Sequence, residues 1–356
     1  MLSPDGAGVG CACAGVAASA GAAGVCSAGV ALLVVLILLV MMSALAAKIS
    51  QQFCRNLQKT RYQVSQQQLR WSIQSQQKTI EDRLQTYASG ESKGLSPKGE
   101  WAEPVETDGE NYTVVSQVED AQTCFNVNNL LAADQTPAVQ TAGALPEKPV
   151  KERIVEQLLT DSGISAGDAE EIYQQLLDYL DGDTTTAKEG LETDAWAGVE
   201  PARQPANQMM LTPGEIKLLP AFPQAAYDKV SKVLCALPDS ASKVDVNTLT
   251  GEQAPLLAAL FIGSLSEDEA ARLIASRPEE GWESMEAFLK ELETNYPQTK
   301  DALKQVQALL AVNSNYFRVN STGNTDDLTL RVVSQLHVDN EAGKVITWQR
   351  RYRMVE

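Results

Sequence analysis

From Val30 to Ala47 the chain runs for 18 residues with Ser43 as the only polar side chain. An uncharged apolar run of that length is long enough to cross a bilayer as a helix, which takes about 20 residues. The next segment, Lys48 to Tyr87, is rich in glutamine and contains neither proline nor glycine. Its apolar residues Ile49, Phe53 and Leu57 recur every four positions, one stripe of a helix. The pattern predicts a single helix over about 30–88, apolar first and amphipathic afterwards, on the order of 85 Å long at ~1.5 Å per residue. Ala44-Leu45-Ala46 would also fit a conventional signal-cleavage site, but the apolar core exceeds the usual 7–15 residues of such signals.

Beyond that helix the periodicity changes three times. Gly90 to Lys98 is a linker of glycine, serine and proline. Tyr112-Thr-Val-Val reads as a short strand. Leu131 to Lys148, rich in alanine, proline and threonine, reads as a loop. From Val150 the spacing is helical: Ile154, Val155, Leu158 and Leu159 make one stripe, and Ile172, Tyr173, Leu176, Leu177 and Leu180 the next. Start signals recur at Thr212-Pro-Gly-Glu215, Thr250 with Gln253, and Ser266 with Glu269, each a capping box. After Ala311 the period falls to two, through Tyr316–Val319 and Leu328–Val333. Asp339–Gly343 is a turn, and Val345 to Tyr352 completes an antiparallel hairpin. The strand near 112 and these C-terminal strands belong to one small sheet on the long helix, with the helical stretch inserted between them.

The formal net charge is −17, which disfavours binding to a phosphate backbone. Asn247 to Phe288 resembles the helix-hairpin-helix modules of DNA-binding proteins. Thr250 to Ala311, however, holds 11 Asp/Glu against 5 Lys/Arg, so no nucleic-acid partner is expected. Of the six cysteines, Cys11, Cys13 and Cys26 precede the apolar run and Cys54 lies on the long helix. Cys124 and Cys235, both after a membrane anchor, read as one disulfide in an oxidising compartment or as two buried thiols. The single histidine, His337, sits in a predicted strand, and no nucleophile–base arrangement, phosphate loop or zinc spacing is present. The chain is read as a non-enzyme. Asp181-Gly-Asp183-Thr-Thr185 with Glu192 and Asp194 is an oxygen-rich acidic loop of the kind that binds calcium. With Thr186 where an EF-hand needs glycine it is not an EF-hand, and a solvated acidic loop is the alternative.

Gly29 followed by Val-Ala-Leu-Leu-Val-Val-Leu and a long helix resembles the processing site of type IV pilin-like proteins. In that family a prepilin peptidase cuts after the glycine and methylates the new terminus, here Val30. Val34 occupies the fifth mature position, where most members carry glutamate; its absence is characteristic of the minor pseudopilin K family of bacterial type II secretion systems. The order of motifs fits the same family. Asp120-Ala-Gln-Thr-Cys124-Phe-Asn126-Val-Asn128 resembles its first cysteine motif, and Cys235-Ala-Leu-Pro with Val244-Asp-Val-Asn247-Thr its second. Asp178-Tyr-Leu-Asp181-Gly-Asp183 and Gly190-Leu-Glu192-Thr-Asp194-Ala-Trp196 resemble its calcium-binding segment, with Thr193 where the family has aspartate.

The resemblance implies an α+β, type IV pilin-like fold, a long N-terminal helix packed on a small antiparallel sheet, with a large all-helical inserted domain. It divides the chain into a leader (1–29), a transmembrane and rod helix (30–88), a pilin-like part (89–149), the insert (150–311) and the C-terminal strands (312–356). It implies a Cys124–Cys235 bridge and structural Ca2+ on Asp181, Asp183, Glu192 and Asp194. The implied partners are minor pseudopilins I and J, the major pseudopilin, the prepilin peptidase and the inner membrane, with the body in the periplasm. The implied role is at the tip of the pseudopilus, in export of folded proteins. A membrane-anchored periplasmic module binding peptide or nucleic acid is the alternative.

Overall fold

The structure is a computed structural model. It describes residues 28–89, 94–132, 148–183 and 204–355, together with 185, 186, 188, 190, 191, 196 and 198. It separates into two units, Met1–Gln63 and Val64–Glu356.

The first unit contains the start of helix α1 (Ala28–Ser89). Its apolar window has a mean hydropathy of 2.7 and no part of it is buried. By length and composition it can cross a membrane, and the side chains from Leu32 to Met42 face outward all round the helix, as expected of a segment whose solvent is lipid.

In the second unit the remainder of α1 buries Leu69, Ile73, Ile80 and Leu84. These recur at intervals of three to four and so share one face. That face covers a five-stranded sheet of order β1-β2-β7-β8-β9. Its strands are β1 (Val105–Asp108), β2 (Tyr112–Asp120), β7 (Tyr316–Thr325), β8 (Thr329–Asp339) and β9 (Lys344–Val355), every neighbouring pair antiparallel. Ile80 and Leu84 pack with Leu95, Trp101, Val118, Phe317, Val319, Leu336 and Val338. Gly323 lies beneath Leu69, where an added Cβ would come within 3.0 Å of a leucine methyl; its missing side chain lets α1 lie close on β7. Two glutamines of α1 are also buried in this layer. Gln76 donates to the Val114 carbonyl at 2.8 Å and accepts from Ser116 Oγ at 2.6 Å. Gln77 donates to Thr347 Oγ1 at 2.7 Å and accepts from Ser334 Oγ at 3.1 Å. The glutamine-rich composition thus supplies polar pegs to a sheet face that carries hydroxyls at those rows.

Between β2 and β7 lies the insert. Its helices are α2 (Val150–Asp161), α3 (Ala166–Leu180), a single turn α4 (Tyr227–Val230), α5 (Ala254–Leu260), α6 (Glu267–Ser276), α7 (Met285–Asn295) and α8 (Lys300–Val306). The three boxes read from sequence, Thr212/Glu215, Thr250/Gln253 and Ser266/Glu269, are all formed. The apolar stripes of α2 and α3 join Leu256, Leu260, Phe261, Leu273, Phe288 and Leu292 in one core. The insert also holds two short parallel pairs. β3 (Phe125–Asn126) pairs with β4 (Leu234–Cys235), and β5 (Val244–Asp245) with β6 (Leu310–Ala311). Between 204 and 253 proline recurs at 205, 213, 220, 223 and 238. It keeps the helical pieces there short, because an interior proline removes a hydrogen bond and clashes with the preceding turn. The loop read over Leu131–Lys148 lies mostly outside the described residues.

Candidate functional site

Three regions carry the residues singled out from sequence. The first is the seam where the insert meets the sheet. Cys124 and Cys235 are bonded, 111 residues apart, beside the β3–β4 pair. Around them three asparagines act as substitute peptide groups. Asn126 Oδ1 accepts from the amides of Asn128 and Leu237 at 3.2 and 2.9 Å. Asn128, fully buried, donates to the carbonyls of Met210 and Leu237 at 3.0 and 2.7 Å and accepts from Met210 N at 2.8 Å. Asn247, equally buried, donates to Trp282 O and Val312 O at 2.9 and 3.1 Å and accepts from Trp282 N at 2.8 Å. Irregular backbone in a core leaves polar groups without ladder partners, and a side-chain amide offers both a donor and an acceptor to satisfy them. Gly281, at φ +78°, lies so close to Asn247 that a Cβ would sit 2.9 Å from its amide carbon.

The same seam buries two carboxyl groups that sequence reasoning did not single out. Asp120, at the end of β2, accepts from Gln122 N at 2.7 Å and from Thr248 Oγ1. Asp245, on β5, accepts from Asn247 N at 2.9 Å, and its Oδ2 has no other partner among the described residues. Burial holds both carboxyls above the ordinary carboxylate range; hydrogen bonds, including one with Asp245, pull Asp120 part of the way back, while the Asp120 charge pushes Asp245 further, well above that range. Tyr87 of α1 and Arg277 after α6 face the pair; burial raises the tyrosine's pKa, and the two aspartates raise it further. In a chain with 46 Asp/Glu no single carboxylate stands out. The available signal was an aspartate between two valines, Val244-Asp-Val246. A carboxyl held protonated in the folded state and ionised in the unfolded one makes the fold bind more protons, so stability falls as pH rises from the unfolded value through the folded one. Asp245→Asn keeps the shape and abolishes the titration. Urea unfolding of the full chain in detergent should show the wild type losing stability between pH 5 and pH 8, and the variant losing less.

The second region is the acidic loop after α3. Asp178 is buried at the end of that helix. Gly190 comes against it so closely that a Cβ would lie 2.0 Å from Asp178 Oδ2. Asp181 caps the helix C-terminus, and its Oδ1 is closed off from solvent without a hydrogen-bond partner among the described residues. Burial, then Asp183 and Asp178, raise its pKa. Asp183 accepts from Thr185 N at 2.7 Å. Trp196 closes the loop from the far side, fully buried, donating to Leu191 O at 2.8 Å and packing on Tyr179. The structure thus gathers Asp181 and Asp183 with Asp178, which the sequence reading had quoted but not chosen as a ligand. Glu192 and Asp194 lie outside the described residues. The described residues alone do not form a group of three ligands. Their donor set is all carboxylate oxygen, and an orphaned buried oxygen beside two like charges fits a hard divalent cation.

The third region is the N-terminus. Gly29 and Val30 lie in the first turn of α1, and the Val30 side chain is outside what is described.

The description "Type II secretion system (T2SS), protein K" fits two family models, one over residues 123–239 and one over 244–313. These spans begin at the first cysteine motif and end at β6. The putative type II secretion system protein K of Escherichia coli K12 is 31% identical over 300 residues, 84% of this chain and 90% of that protein. The chain belongs to the type II secretion system protein K family. The protein K of Pectobacterium carotovorum is 30% identical over 328 residues, 91% of this chain and 96% of that one. A chain in the crystal structure of the GspK–GspI–GspJ complex from the enterotoxigenic Escherichia coli type 2 secretion system superposes with a TM-score of 0.70 at 25% identity. It covers 83% of this chain and 99% of itself. The protein K fold is therefore the α+β, pilin-like one with a helical insert, and Cys124, Asn126, Asn128, Cys235, Asp245 and Asn247 of the seam fall within the stretches the family models match.

Proposed function

We propose that this chain is the minor pseudopilin that ends a type II secretion pseudopilus, anchored in the inner membrane with its body in the periplasm. The observation that carries this is the combination of an N-terminal helix whose apolar half has no covering among the described residues and an insert of nearly 200 residues between β2 and β7. The apolar half suits packing against like segments of other subunits. The insert would obstruct a further subunit stacked above it. Val34, an uncharged residue at the fifth position after Gly29, needs no neighbour's terminal amine, which suits a first subunit. Cleavage after Gly29 by a prepilin peptidase and methylation of Val30 belong to this reading. The partners are minor pseudopilins I and J and the major pseudopilin. The GspK–GspI–GspJ assembly of the structural relative supports the first two. The work is assembly, with no chemical step.

Co-expression of the full chain with minor pseudopilins I and J tests this. A stable complex of the three, extracted from the inner membrane and required for secretion, is expected. A chain that purifies without them, in cells that still secrete, would sink the reading.

Calcium belongs in the acidic loop, on Asp181 and Asp183 with Glu192 and Asp194, and Asp178 behind them. Its role is structural, neutralising like charges and fixing a loop that Trp196, fully buried, anchors. At a calcium concentration of 100 times Kd the gain is about 2.7 kcal/mol, a rise in Tm of roughly 5–10 °C for a folded unit of this size. Asp181→Asn should abolish that rise, read by thermal unfolding with calcium against chelator. An unchanged Tm on adding calcium to the wild type would remove the ion from the account.

A further inference from the structure

Among the described residues β9 pairs with β8 alone, which leaves its outer edge open. In a chain of net charge −17, β9 holds Lys344, Arg350, Arg351 and Arg353 and no acidic residue. Arg350 is accounted for within the fold, bonding Gln77 and Ser334 under α1. Arg351 and Arg353 lie on the opposite, solvent face. There Arg353 stands directly across from Arg331 of β8, and Arg351 across from Val333. The same row continues through Thr322 and Val115 to Glu106 of β1, four strands and about 19 Å away at the usual strand spacing. On this face Arg318 pairs with Glu119 at 4.0 Å. Among the described residues no carboxylate forms an ion pair with Arg331, Arg351 or Arg353.

Like charges directly opposite in a sheet are destabilising, so the Arg331–Arg353 row works against the fold. Edge protection explains part of β9. A charged residue and a bulge keep stray strands away, and the register shifts at Gln335/Leu336, leaving Trp348 as the extra residue. But the bulge leaves Gln349 to Val355 regular, and edge protection has no use for a second arginine on the inner strand β8. On the α1 side, between the two arginines, Tyr352 is 52% exposed with Arg70 over its ring at 5.4 Å.

We propose that the edge of β9 from Gln349 to Val355 receives an extended segment of a partner protein as a sixth strand, with carboxylates at alternate positions opposite Arg351 and Arg353. An apolar residue between them would meet Tyr352. Backbone bonds to the open edge supply affinity and the alternating side chains supply selection, as in other strand additions. The added carboxylates neutralise the row that the fold alone leaves repulsive. This assigns an interaction surface beyond the assembly role, and its test is read on the isolated chain, so either can fail without the other.

The probe is a fluorescent ten-residue peptide with glutamate and valine alternating, titrated by anisotropy onto the full chain in detergent at low salt. Binding that weakens at high salt is expected. Arg353→Glu should reduce affinity at least tenfold while leaving the Tm equal or higher, because it now complements Arg331; this separates lost binding from lost folding. A peptide of the same charge interrupted by proline should bind at least tenfold more weakly. The proposal is overturned if the wild type does not bind the peptide, if Arg351→Glu and Arg353→Glu leave affinity unchanged, or if the proline peptide binds equally. It is also overturned if those variants instead abolish recruitment to phosphatidylglycerol vesicles, which would make the surface a lipid site, or abolish a dimer in sedimentation, which would make the occupant a second copy.

Discussion

Replacing Cys124 and Cys235 with serine lowers the stability of the folded chain by about 2–5 kcal/mol. The bridge spans 111 residues, and closing a loop of that size in the unfolded chain is worth on the order of 4–5 kcal/mol in the chain-entropy model, with engineered and native bridges often delivering less. The loop it closes contains α2, α3 and the acidic loop, so in the reduced chain about a third of the molecule has lost its cross-link and is held to the sheet through the backbone alone. The local packing is small: Ala121, Cys235, Leu237 and Tyr316 form a cluster of their own. The loss therefore acts mainly through the unfolded state and appears as a lower Tm for both the double variant and the reduced wild type. Equal Tm values for oxidised and reduced protein would contradict it.

The second large effect is at Asn128. Asn128→Leu is close to isosteric and apolar, yet it leaves Met210 N and O without their partner and strips Leu237 O of its 2.7 Å donor. A buried polar group left unsatisfied costs about 1–3 kcal/mol, so the total is on the order of 3 kcal/mol or more. That is a large share of the 5–15 kcal/mol typical of a domain. Asn128→Asp keeps the acceptor for Met210 N but turns the donor into an oxygen facing two carbonyls, and should be at least as damaging. Chemical denaturation of the three proteins in one detergent ranks them.

How far these features were legible in the sequence follows from the kind of signal each left. The long helix was, because an uncharged run and a stretch free of proline and glycine leave little else to form. The face it buries was not. Ile49, Phe53 and Leu57 made the visible stripe, and they are exposed at 44–66%; the buried face is Leu69, Ile73, Ile80 and Leu84, with Gln76 and Gln77 between them. Glutamine on a packing face has no hydropathy signature; its partners across the sheet, the hydroxyls of Ser116, Ser334 and Thr347 and the Val114 carbonyl, give it a reason to be buried. β1, at four residues, was too short to show alternation. β2 reaches Asp120 because Ser116 and Val118 continue the buried side, a pattern obscured by Gln117 and Glu119 on the other. The helical stripes and capping boxes of the insert were legible because they are local. The short parallel pairs were not, since two-residue strands are defined by residues about 65–110 positions away. Asp120 and Asp245 acquire meaning only when the chain returns to bring them together.

The most direct test of the account is the N-terminus of the mature protein, read by mass spectrometry from cells with and without prepilin peptidase. A chain that begins at Val30, carries an N-methyl group and appears only when the peptidase is present is the predicted result; it would establish α1 as a retained, pilin-type membrane segment. A chain that begins near Lys48, whether or not the peptidase is present, would mean that the apolar run is a cleaved signal, and the tip-subunit reading would fail.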